Sequence, residues 1–195
     1  MATVKDLERY AKAGGAQPEL PEFCVEDALA TPKLAELTDA LAAIPHVRRL
    51  RLHTRLPIVL PDRVDDGLVA WLASLPWPVT IVLHANHARE FDASVDAALA
   101  RLRGAGAMLL NQAVLLRGVN DNLDALADLS ERGHAAGVLP YYLHQLDRVQ
   151  GAAHFEVDDA TALALHRALG ARLSGYLVPR LVRELPGDTG KRPVA

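Results

Sequence analysis

The chain has 195 residues, 50% of them hydrophobic and 23% charged, which suits one domain with a substantial core. Its formal net charge of -3 gives no electrostatic case for nucleic acid or an anionic membrane as partner. The one cysteine, Cys24, excludes a disulfide within the chain and any cluster that needs three or four thiolates.

No basic-then-apolar leader opens the sequence, and no apolar run approaches the roughly 18 residues of a spanning helix, so a cytoplasmic protein is expected. "EFCVEDAL" (22–29) is a poorly hydrophobic candidate for a short leading strand. Thr31 and Pro32 form an N-cap and first-turn pair that opens a helix through "PKLAELTDALAAI". "VRRLRLH" (47–53) is the first buried strand, and its arginines fit a solvated strand edge better than a phosphate-binding stripe. In "DRVDDGLVAWLASL", Trp71, Leu72 and Leu75 share a helical face with Leu68. "VTIVLH" (79–84) follows, then "ASVDAALARLRG", with Asp92 as cap and a stop at Gly104 and Gly106. "AMLLNQAVLL" (107–116) and "VLPYYLHQL" (138–146) are further strands. The first is followed by "DNLDALADLSERGHAAG" and the second by "DDATALALHRALGARLSG", each opening on aspartate and closing at glycine.

Strand and helix alternate with a step of about 30 residues, the size of one βα unit, so a mostly parallel sheet with outer helices is expected. Four units are clear and a fifth is weaker. A closed eight-unit barrel takes about 250 residues, so the plan is incomplete at its N-terminal side and reads like the second half of something larger. An open sheet leaves edges to be covered or paired, and self-association is one way to do so.

Each strand finishes on polar groups: His53-Thr54-Arg55, His84-Ala85-Asn86-His87, Asn111-Gln112, and His144-Gln145 with Asp147. In parallel α/β folds the carboxyl ends of the strands form the active face, so these groups are candidate site residues. The alternative for each is that it caps a strand or satisfies loop backbone. The eight histidines make no recognisable zinc spacing, since His84 and His87 would not share a face on an extended strand end. No nucleophile elbow or phosphate loop motif is present.

"RLHTRLPIVLPDRV", "HANHARE", "LLNQAVLLRGVNDN", "PYYLHQLDRVQGAAHFEV" and "SGYLVPRLVRELPGDTGKRPV" resemble, in order and spacing, the lysine 2,3-aminomutase family. The branch most similar makes β-lysine for modifying elongation factor P. The resemblance runs from about Ala30 to Val194, which divides the chain into a poorly matched segment, 1–29, and a partial barrel, 30–195. It implies a partial barrel of radical S-adenosylmethionine (SAM) type, a [4Fe-4S] cluster, SAM, pyridoxal phosphate (PLP) and lysine as substrate. It further implies that Lys191, in "PGDTGK", anchors PLP, that Asp147 and Glu184 grip the distal ammonium of lysine, and that His87 and Gln112 lie on the SAM side. A lysine amine suits a Schiff base, and paired carboxylates suit one ammonium. The residues alone leave Lys191 open to being a solvated terminal lysine, and Asp147 and Glu184 to being surface ion-pair members.

The sequence departs from the family where the cluster should be held. The C-x3-C-x2-C loop is missing, and "CVEDAL" stands in place of a glycine-rich stretch. Three functions are therefore weighed: an aminomutase whose cluster half comes from elsewhere, with this chain inactive alone; a non-catalytic relic that binds PLP, lysine or a protein; and an inert, self-associating fragment.

Overall fold

The computed structural model describes residues 22–26, 32–147, 149–184 and 190–194, with backbone alone for 22–26 and 32–33. The proposed cap Thr31 and the loop residues 185–189 lie outside the described residues, as does the side chain of Cys24. The chain divides into two compact units: residues through 83 with 93–109, and residues 84–92 with 110 onward.

In the first unit, β1 (Glu22–Glu26), β2 (Arg49–Thr54) and β3 (Val79–His84) pair in parallel and in chain order. The weakly hydrophobic leading segment is thus a strand, held by its register on β2, with Val25 opposite Leu52. Along β2 the alternation is explicit: Leu50 and Leu52 are fully buried while Arg49 and its neighbour Arg48 are exposed. Arg51 is half-buried with its Nε enclosed, and β2 lies between β1 and β3, so the arginine run is solvated only in part and is not at a sheet edge. Helices α1 (Pro32–Ala42), α2 (Leu56–Val59), α3 (Asp66–Ser74) and α4 (Ala93–Gly104) complete the unit. Asp65 caps α3 by accepting from the Leu68 amide at 2.8 Å, so Leu68 and Leu72 turn inward. Trp71 is half-buried, because its indole N–H donates to Thr38 Oγ1 on α1 at 3.2 Å.

In the second unit, β4 (Met108–Val114), β5 (Leu139–His144) and β6 (Arg180–Arg183) run parallel, and β7 (Arg192–Pro193) returns antiparallel on β6. β6 has no counterpart among the sequence-predicted strands. It is four residues long with an arginine at each end, too short for the period-2 signal. Between Asn111 and Gln112 the register against β5 shifts, from Pro140 to Tyr142. Pro140 lacks an N–H, and a bulge is where a strand tolerates that. The bulge pairs Gln112 with Tyr142 and Val114 with His144. Helix α5 (Leu123–Ala135) is capped by Asn122, which accepts from the Ala125 amide at 2.9 Å. The aspartate beside it, Asp121, instead accepts from the Gly118 amide at 2.8 Å. Asp158 caps α6 (Asp159–Arg172) as the sequence suggests.

Candidate active site

The strand ends of the second unit divide into framework and site. Asn120 is completely buried; its amide donates to Asn86 O and Val114 O, and its Oδ1 accepts from the Leu116 amide at 2.7 Å. Asn86 Oδ1 accepts from the Val114 amide, and Asn111 exchanges two hydrogen bonds with the backbone of Ala85. These three asparagines lash segment 84–92 to β4 and the loop after it, which explains why "HANHARE" and "NQAVLLRGVND" need those amides. The turn needs Gly118 as well, at φ +74°, a conformation that other residues enter only at a cost. Loop 149–155 docks through the Arg117 amide on Phe155 O at 2.9 Å. Gln145 is also framework: its Nε2 reaches Val157 O and Asp159 Oδ1, while Arg183 pairs with the same Asp159 carboxylate.

Lys191 reaches its place through the β6–β7 pairing. Val182 lies opposite Pro193 and Arg183 opposite Arg192, so one more step of that register sets Glu184 against Lys191. The side chains meet accordingly, with the Lys191 ammonium paired to Glu184 Oε1. The same Nζ lies 3.3 Å from His144 Nε2 and 5.3 Å from the centre of the Tyr142 ring. Tyr142 and His144 share one face of β5, and their rings meet edge-on with centroids 5.6 Å apart. An ammonium only donates, so Nε2 is the accepting nitrogen of a neutral imidazole and the ring proton sits on Nδ1, 4.0 Å from Glu184 Oε1. Burial lowers the His144 pKa to about 4, and the positive charge of Lys191 adds to that effect; Glu184 pulls the other way and His84 adds slightly to the lowering. His144 is therefore uncharged at neutral pH, and Glu184 is the anion that faces Lys191.

The remaining candidates make other contacts, and Gln112 lies opposite Tyr142 of this cluster. Asp147 is exposed and lines a cleft of about 400 Å³ with Leu146, Val149, Gln150, Ala153 and Glu156. Gln112 Nε2 is 3.0 Å from His84 Nε2, and its Oε1 is buried without a hydrogen-bond partner. His87 is half-buried, and its Nδ1 accepts from the Arg89 amide while Glu90 accepts from the amides of Asn86 and His87. It shapes a turn. Sequence reasoning placed His144 among polar strand ends without a role and passed over Tyr142. The alternation "Y-L-H" at the end of β5 was the available signal.

The architecture is α/β, with helices around mostly parallel strands. A crystal structure of a radical SAM methyltransferase from Sphaerobacter thermophilus superposes with a TM-score of 0.54, covering 92% of this chain and 55% of that one at 18% identity, a likeness of fold alone. In sequence the chain is homologous to proteins named L-lysine 2,3-aminomutase. It is 50% identical over 183 residues to the Escherichia coli K12 protein of that name, spanning 92% of this chain and 54% of the relative. Identity to the Haemophilus influenzae protein is 45% over 159 residues (82% and 47%), and to that of Clostridium subterminale 38% over 154 (79% and 37%). The chain thus spans between 37% and 54% of the length of these relatives. No family model matches it.

Proposed function

We propose that this chain is the PLP- and amine-binding portion of an aminomutase-type isomerase that converts lysine to β-lysine. The observation that carries the proposal is the placement of the Lys191 amine on a strand end beside Glu184, His144 and the Tyr142 ring. These residues fit PLP in kind: a part-buried primary amine for the aldehyde, and aromatic surface for a flat ring. When bound, PLP would supply an electrophilic carbon and a ring that delocalises charge or an unpaired electron. The chain's own residues do the rest. Lys191 presents the nucleophilic nitrogen, and neutral His144 accepts its N–H and fixes its direction. Glu184 and Asp147 supply negative charge for an ammonium group.

The SAM-side assignments rest on Gln112 and His87. Gln112 brings a buried Oε1 that a ligand's N–H would satisfy, whereas His87 is already engaged in its turn. The iron–sulfur cluster does not fit the residues present. One cysteine cannot provide three thiolates, and no group of three or more His, Cys, Asp or Glu that could hold a metal occurs among the described residues. No step is therefore assigned to it, and this chain alone is proposed to bind cofactor and amine without generating a radical.

The test is an absorbance titration with PLP. A visible imine band is expected in the wild-type chain and none in Lys191→Ala; a wild-type chain without the band would refute the assignment.

A further inference from the structure

The face of β5 and β6 turned away from Lys191 carries a network of its own. Continuing the parallel register of His144 with Val182 sets Gln145 beside Arg183, and both side chains reach Asp159 Oδ1 in the first turn of α6. We propose that Arg183 is a positioning residue: clamped to Asp159, it fixes the end of β6 and thereby the place of the Lys191 amine. Gln145 steadies the carboxylate that Arg183 grips. This inference rests on the functional assignment just made, since it concerns how that amine is aimed.

The shortness of the elements makes a clamp necessary. β6 has four residues and β7 two, and Pro193 brings no N–H to their pairing. Lys191 immediately precedes β7, so a short hairpin places its Nζ, and that hairpin depends on where β6 ends. The end of β6 is held on one side by the Gln145 amide, which donates to Val182 O at 2.8 Å, and on the other by the Arg183 side chain. Asp159 is itself well anchored. Asp158 caps α6 by accepting from the Thr161 amide at 2.9 Å and its hydroxyl at 2.7 Å. Gln145 Nε2 donates to Asp159 Oδ1 at 3.1 Å and to Val157 O at 3.3 Å. Stability is not what this network chiefly supplies. The Arg183 and Asp159 side chains are 32% and 54% exposed, where an ion pair contributes little. Gln145 Oε1 and Arg183 Nε are buried with no hydrogen-bond partner among the described residues, which offsets part of what the bonds provide. Geometry remains. Arg183 and Glu184 are neighbours that reach opposite faces, so a clamp on one face sets the carboxylate and the amine on the other.

The reactivity of Lys191 reports its position without any cofactor. Each protein is treated with limiting acetic anhydride, and peptide mass spectrometry gives the acetylation rate at Lys191 relative to Lys5, Lys12 and Lys33. In wild type Lys191 is slowed by Glu184 and His144, and its side chain is 25% exposed. Arg183→Met keeps the aliphatic stem and removes the clamp; Lys191 should then react roughly threefold faster, the scale of a partly exposed ion pair. Asp159→Asn, which keeps an acceptor for Gln145 but loses the charge, should act in the same direction. Arg183→Lys should recover most of the protection, because the arginine reaches Asp159 through a single nitrogen that an ammonium can replace. Asn122→Ala, which removes the cap of α5 and weakens the same unit elsewhere, should leave the Lys191 rate unchanged. An unmoved rate in Arg183→Met and Asp159→Asn, no recovery in Arg183→Lys, or an equal rise in Asn122→Ala would overturn the proposal. Absence of the PLP imine in wild type would instead refute the functional assignment, and the acetylation comparison would still decide this one.

Discussion

His144 makes the stability of the fold depend on pH in a way that one substitution exposes. Its pKa is lowered from 6.5 to about 4, first by burial and then by Lys191, so the folded chain holds it neutral while the unfolded chain protonates it below 6.5. The unfolded state then binds more protons, and stability falls as pH drops from 6.5 towards 4; above 6.5 the effect vanishes. A shift of this size amounts to about 3 kcal/mol in full, of which about 2 kcal/mol is lost between pH 7 and pH 5. The perturbation is His144→Gln, which keeps a hydrogen-bonding group beside Lys191 and removes the titration. Urea unfolding of both proteins at pH 7, 6 and 5 provides the comparison, and other titrating groups cancel in the difference. Wild type should lose about 2 kcal/mol more than the variant over that range. Parallel losses would show that His144 ionises freely in the folded chain and that the account of its burial is wrong.

Other substitutions probe the framework beneath the site. Asn120→Ala strands Asn86 O, Val114 O and the Leu116 amide in a buried place, and should cost about 3 kcal/mol in urea unfolding. Two glycine-to-alanine changes should have opposite signs. Gly118→Ala has open space for its Cβ but sits at φ +74°, so it should destabilise by about 1 kcal/mol. Gly133→Ala, within α5, would meet its nearest neighbours Val138 O and Phe91 Cζ at ordinary contact distances of 3.7 and 3.9 Å, and should stabilise by up to about 1 kcal/mol.

Hydrophobic pattern made most of the fold legible. "VTIVLH" is a strand over its full length, two longer apolar runs shrink at both ends, and the run 47–53 becomes a strand over Arg49–Thr54. Pattern fails where pairing rather than composition creates the element: β6 and β7 are short and carry three arginines between them. At the site, the spacing of Glu184 and Lys191 is visible in the sequence, but the hairpin register that makes them partners is not. Polarity at strand ends could not separate Asn111 and Gln145, which satisfy backbone groups and the Asp159 carboxylate, from His144, which faces the lysine. That distinction depends on which face of a strand looks outward, and the bulge between Pro140 and Tyr142 resets it for β5.

The central claim is that Lys191 is the cofactor-linking amine, and reductive trapping tests it most directly. The chain has four lysines, Lys5, Lys12, Lys33 and Lys191. Incubation with PLP, borohydride reduction and peptide mass spectrometry should place a single pyridoxyl adduct on Lys191. An adduct spread evenly over the four, or confined to another lysine, would contradict the account.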